Sequence, residues 1–265
     1  MYVTKVAFGG LFGTEKWFFD IITKNSKQAG AQVKKLFAAL IGTISLIAGP
    51  QPNIKSSIES VHGTEAILNT ETAPIGSSAI VVHRFDEEHS TIVAGAEVVG
   101  KNRIKFKVFG ALEQEALPSP KILPQKGDLV ILNYLYDRGV IIAPDLKSYN
   151  YALSNHPEIE WMHPDLFAAQ LAAYQNPAPT IEDFQKFCND YSVGVVYFVL
   201  KNRGVLTDCQ TLKPIHIESI SPKAQKTKLP FYSRIKKIES SWFDFFGKSK
   251  IEDYYNYYTK LLELK

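Results

Sequence analysis

Residues 103–109 read RIKFKVF, with charged and apolar side chains alternating through residue 108. A period of two places one set on each face of an extended chain. The segment therefore fits a strand with one wet face and one buried face, and it does not fit an amphipathic helix. Residues 78–85 and 90–99 are also rich in Val, Ile and other strand formers, and Gly100, Lys101 and Asn102 supply a turn between the second and third of these strands. A proline-marked loop is expected over residues 116–125. Residues 128–134 and 139–143 then read as a further hairpin around Tyr136, Asp137, Arg138 and Gly139. Upstream, residues 50–75 are polar and read as an extended arm leading into a first strand at 65–69. Five or six short strands with tight turns point to a small antiparallel β-barrel or sandwich.

Pro144 marks a change of character. Helices are expected over residues 145–154, over 164–174 with Pro164 in the first turn, and from Thr180 to about residue 191. Thr180 is the expected cap of the third, with Glu182 and Asp183 against the positive end of its dipole. Residues 193–200 form a continuous apolar strand, 201–204 a turn and 205–210 the return strand. In the tail, Ile251, Tyr254, Tyr255, Tyr258, Leu261 and Leu262 share one side of a helix. Such a helix docks onto the domain with its hydroxyls at the rim, or offers its tyrosines to a partner. The fold class read from this order is α+β, a small antiparallel barrel or sandwich followed by an α+β region and a C-terminal helix. The divisions fall at 1–49, 50–144, 145–220 and 221–265.

The first division reads as a leader. Lys34 and Lys35 precede 13 uncharged residues, 36–48 (LFAALIGTISLIA), and Gly49 and Pro50 follow. That stretch is shorter than the roughly 20 apolar residues a membrane-spanning helix needs, and it suits a signal peptide. No cysteine follows to carry a lipid anchor. The preceding 32 residues exceed a normal n-region. Val33 is read as the true start, encoded by GTG, with Trp17 to Ile22 as a membrane-surface segment in the rival reading. Six of the 30 Lys+Arg and two of the 27 Asp+Glu lie before residue 49, leaving 24 against 25 in the remainder. The +3 of the whole chain thus sits in the leader, which argues against broad, charge-driven nucleic-acid binding. Export places the protein in the periplasm, at the outer membrane or on the cell surface, with membrane contact only through the signal segment or peripheral association. In an oxidising compartment Cys188 and Cys209, the two cysteines, are expected to pair, with two buried thiols as the alternative.

Chemistry-bearing motifs are sparse. His83, Glu87 and His89, with Asp86 and Glu88 nearby, carry metal-ligating types but span a turn, so a solvated acidic hairpin is the reading adopted. His62, His156, His163 and His216 are scattered. Glu113 and Glu115 are a carboxylate pair of a kind common on surfaces. No nucleophile elbow, Walker loop, dinucleotide fingerprint or H-E-x-x-H is present. No enzyme activity, metal or cofactor is therefore expected. Lysine-binding modules read an ammonium and a carboxylate at a fixed separation, and a terminal Lys265 offers both in one residue. An exposed internal lysine near a carboxylate, such as Lys260, can imitate it.

Several segments carry a family resemblance: HPDLFAAQL (163–171), LPFYSRI (229–235), SWFDF (241–245), DYYNYY (253–258) and EALPSPKILPQKGDLVILNYLYDRGVIIAPD (115–145). They resemble the N-terminal domain of the plasminogen-binding proteins PgbA and PgbB of Helicobacter and its relatives, over roughly residues 52–262. The resemblance implies a non-enzymatic envelope or surface protein that binds host plasminogen through lysines. Lys265, Lys260, Tyr254, Tyr255 and Tyr258 are the candidate contacts. Family members continue into a lysine-rich tail, whereas this sequence stops at Lys265, so binding either rests on that residue or is lost. The alternative is a periplasmic scaffold docking onto another envelope protein by the tyrosine helix and the edge of the β-domain.

Overall fold

The computed structural model of the chain describes residues 53–70, 73–107, 122–221, 226–235 and 251–264. The leader, Val33, Glu113, Glu115 and Lys265 lie outside these described residues. Two sheets follow each other along the chain. The first is a closed antiparallel barrel of β1 (Ile54–His62), β2 (Glu65–Leu68), β3 (Ser78–Arg84), β4 (Ser90–Gly100), β5 (Arg103–Lys107) and β6 (Leu129–Leu132), in the order β1-β2-β5-β4-β3-β6. Alternation fills its interior: Ile58, Ala66, Leu68, Val81, Val98, Ile104, Val130 and Leu132 are all buried. Small residues, Ala79, Ala94 and Ala96, complete that core and let opposite walls approach.

The expected polar arm is instead β1. Its nine residues pair with β2 on one side and β6 on the other, and so close the barrel. Only Ser56 and Ile58 of this strand are buried, so its sequence, IKSSIESVH, looks polar although its backbone pairs with β6 over residues 54–57 and with β2 from residue 58 on. The β4–β5 hairpin turns at Lys101 and Asn102 as expected, and Asn102 takes a left-handed φ of 44°. In the β1–β2 turn Gly63 does the same at φ 61°, where a side chain would be strained.

The expected hairpin around Tyr136 does not form. β6 belongs to the barrel, while β7 (Arg138–Ile142) opens the second sheet, so the change of sheet falls ahead of Pro144. That sheet has the order β11-β10-β9-β7-β8, with β8 (Glu160–Met162), β9 (Val195–Val199), β10 (Arg203–Asp208) and β11 (Pro214–Ser219). β7 runs parallel to β8 and β9, and β10 lies between β9 and β11, antiparallel to both. Parallel neighbours need crossovers, and the helices supply them. Between β7 and β8 lies α1 (Leu146–Asn155), capped by Asp145, whose carboxylate accepts from Ser148 N–H at 2.8 Å. Between β8 and β9 lie α2 (Asp165–Ala173) and α3 (Ile181–Tyr191), the latter opened by the Thr180–Asp183 capping box. β9 is buried along its whole length because both faces are covered. Val195, Tyr197 and Val199 face the α1 side, and Val196 and Phe198 face α2 and α3.

Among the described residues no helix is long and apolar enough to cross a membrane. Cys188 of α3 and Cys209, just after β10, form a disulfide with their Cα atoms 5.9 Å apart, the helix-to-hairpin staple expected from the sequence. The two sheets meet at Asp208, which is fully buried at the end of β10. One carboxylate oxygen accepts from Ser78 N–H of the barrel at 2.8 Å and from the Tyr136 hydroxyl at 2.7 Å. The other accepts from the N–H groups of Gln210 and Thr211 at 2.9 and 2.8 Å. Burial, with the Asp208 charge beside it, raises the Tyr136 pKa well above the usual phenol value, so the hydroxyl stays a donor. Lys213 adds a second tie across the junction. Its ammonium lies 2.5 Å from Glu97 of β4, which Lys107 meets at the same distance on the other carboxylate oxygen.

Candidate partner-binding site

The C-terminal helix α4 (Tyr254–Leu261) begins at Asp253, whose side chain accepts from Asn256 N–H at 2.7 Å. Its inward side is aromatic. Tyr254 and Tyr258 are fully buried against α2, α3 and β9, together with Phe167, Phe184, Phe198 and Phe231. Their hydroxyls are not at the rim. Tyr254 donates to Ile142 C=O at 2.8 Å and Tyr258 to Pro230 C=O at 3.1 Å. Burial pushes both phenols well above their ordinary pKa, so they remain neutral donors. Tyr257 is half-buried and donates to Pro179 C=O at 2.8 Å, and Tyr255 is half-buried against the same core.

The docked orientation of the helix is therefore fixed by three main-chain acceptors as well as by apolar contact. Residues 226–235 take part in the same packing. Phe231 stacks on Phe167 at 5.5 Å, and Arg234 grips Asp165 through its backbone N–H and its guanidinium, both at 2.6 Å. Lys228, in the basic stretch, turns its ammonium onto the carbonyls of Ser233 and Ile235.

What α4 shows to solvent is charged and polar. Glu252, Asp253, Asn256, Lys260 and Glu263 are exposed. Lys260 lies in the last turn, where the helix dipole favours a cation, and no described carboxylate is within ion-pair distance of it. The helix ends in a Schellman arrangement: Leu264 N–H reaches Thr259 C=O and Glu263 N–H reaches Lys260 C=O, both at 3.0 Å, with Glu263 left-handed at φ 51°. This cap anchors Leu264 on the core and leaves Lys260 and Glu263, three residues apart, exposed.

Of the residues singled out from the sequence, the structure brings Tyr254, Tyr255 and Tyr258 to the inner side of α4, and Lys260 alone of the described set to its outer side. The histidine–carboxylate turn does not converge. His83 Nδ1 lies 2.7 Å from Asp128, and His89 Nδ1 lies 2.8 Å from Asp86, so each ring has its own carboxylate. No group of three His, Cys, Asp or Glu side chains able to hold a metal occurs among the described residues. Sequence reasoning missed Asp208 and Glu97, and also the cluster in which buried His156 lies 2.8 Å from Glu218 and 3.3 Å from Glu158. Tyr197 donates to the same Glu218 oxygen, and burial with that carboxylate raises its pKa far above the ordinary value. The available signal for Asp208 was its position: an acid ending the apolar run of β10, immediately before a cysteine.

The fold is that of an α+β domain in which a closed barrel is joined to a helix-covered mixed sheet and packed against a C-terminal helix. The chain belongs to the family described as the plasminogen-binding protein PgbA N-terminal domain, whose model matches residues 53–262. It is 28% identical over 232 residues to the plasminogen-binding protein PgbA of Helicobacter pylori strain J99, covering 84% of this chain and 51% of the relative. The PgbA of H. pylori strain 26695 gives the same identity and coverage. The chain thus spans about half the length of the curated relatives it matches. No solved structure matches it significantly.

Proposed function

We propose that this chain is an exported, non-enzymatic envelope or surface protein that binds host plasminogen through lysine. Family membership supports plasminogen as the partner, since the relatives are named for that binding. The observation that carries the reading to a site is Lys260: an exposed ammonium, unpaired among the described residues, three residues before the exposed Glu263 and five before Lys265. An ammonium and a carboxylate displayed together are what lysine-recognising modules read, and the anchored helix holds this pair at low entropic cost. The disulfide supports an oxidising compartment, in keeping with the reading of residues 34–48 as a signal peptide.

The test is binding of the full chain to immobilised plasminogen with and without 6-aminohexanoate, a lysine analogue. Binding abolished by the analogue and weakened by Lys260→Ala, or by removal of Lys265, supports the proposal. Binding that ignores the analogue and both changes refutes the lysine mechanism. The relatives carry a further half that this chain does not span, and lysine recognition there would leave this domain a scaffold docking onto an envelope complex. Absence of analogue-sensitive binding, with fractionation to the periplasm, identifies that role. Proteolysis of intact cells separates surface from periplasm.

A further inference from the structure

A cleft of about 170 Å³ opens where the barrel meets the disulfide corner of the second sheet. Its floor is apolar, from Ala79, Ile80, Ile92 and Ala96 on β3 and β4, and its opposite wall carries the amides of Asn189 and Gln210. Lys107 is the single charged side chain among the described residues that line it.

We propose that this cleft binds a small monocarboxylate with an apolar body, the carboxylate meeting Lys107 and the body lying on Ile80 and Ile92. Three observations carry this. The first is charge: Lys107 and Lys213 share the one carboxylate of Glu97, so among the described residues the pair of ammonium groups is left with one uncompensated positive charge beside the cleft. A single excess charge suits a monoanion better than a dianion.

The second is rigidity. Asp208 fixes Ser78 at one wall, and Gln210 Nε2 donates to Asn189 Oδ1 at 2.7 Å across the other. The disulfide locks Cys188, itself part of the lining, to Cys209. Gly194 lets the chain pass so close to the β6–β7 connection that a Cβ there would stand 2.2 Å from Leu135 O. A site built this way needs little ordering when a ligand enters. The third is location: clefts with an apolar floor and a few convergent polar groups at the junction of two modules are where small molecules bind.

The experiment titrates the isotopically labelled full chain with N-acetyl-L-leucine and, as the uncharged match, N-acetyl-L-leucinamide, following backbone amide resonances. Saturable shifts centred on Gly95, Ser192 and Gly194, with the amide at least about tenfold weaker, are the expected result, because a charge-assisted hydrogen bond carries that difference. Lys107→Met lowers the carboxylate affinity about tenfold and leaves the amide unchanged, whereas Lys107→Arg keeps the preference. Ile92→Trp, which fills the floor from a half-buried position, removes both while circular dichroism stays native. Shifts elsewhere, no saturation, or equal affinities for acid and amide overturn the proposal.

Discussion

Replacing Asp208 by Asn tests whether the barrel and the second sheet are joined by charge-assisted hydrogen bonding. The side chain keeps its shape, but one oxygen becomes an NH2 group facing two donors. On one side those are Gln210 and Thr211 N–H, and on the other Ser78 N–H and the Tyr136 hydroxyl. A hydroxyl can reverse and accept, whereas a backbone N–H cannot. The amide nitrogen therefore settles toward Tyr136, and Ser78 N–H is left without its acceptor. An orphaned buried donor costs about 1–3 kcal/mol, and the loss of charge weakens the remaining bonds, so the variant should lose about 2–4 kcal/mol. Tyr136→Phe alone removes one hydrogen bond to a charged acceptor and should cost about 1.5 kcal/mol. In the double variant the compensating hydroxyl is gone, so the two losses should not add, with a coupling of at least about 0.5 kcal/mol. Urea unfolding followed by circular dichroism measures all three. An Asp208→Asn protein within about 0.5 kcal/mol of the parent would show that the junction does not depend on this carboxylate.

The disulfide closes a sequence separation of 21 residues, which corresponds to about 3 kcal/mol in the chain-entropy account. Cys188→Ala with Cys209→Ala should lower the urea-derived stability by that amount, and a loss under about 1 kcal/mol would mean that the reduced chain is already restrained there. Glu97 governs part of the acid limb. Burial raises its pKa, but the hydrogen bonds and charges of Lys107 and Lys213 outweigh that and hold the carboxyl below the usual range. Its contribution is therefore complete above the unfolded-state value of about 4.3 and is lost as pH falls through the lower folded value. Glu97→Gln should flatten stability against pH in that acid window. An unchanged profile in urea titrations from pH 6 down to 3 would refute the assignment.

The strand and helix elements with strong local signals were legible. RIKFKVF could only alternate, Thr180 could cap, and the apolar run 193–200 could only be buried. β1 was not legible, because closing a barrel engages the backbone and asks little of the side chains: two buried positions in nine suffice. Nor was the fate of 128–143, where two apolar strands with a turn between them look like a hairpin. Partner choice was decided by β1, β3, β8 and β9, all distant in sequence.

The site followed the same division. The chain order alone determined that the C-terminal segment is a helix with a tyrosine side, that two cysteines lie at pairing distance along the chain, and that the family is the PgbA N-terminal one. Only the tertiary structure decided that Tyr254 and Tyr258 bury their hydroxyls against carbonyls, leaving Lys260 outward, and that Asp208, Glu97 and Lys213 tie the two sheets together. Local pattern specifies which face of an element is apolar. Which distant groups satisfy its polar atoms depends on packing, because those partners lie 28 to 130 residues away along the chain.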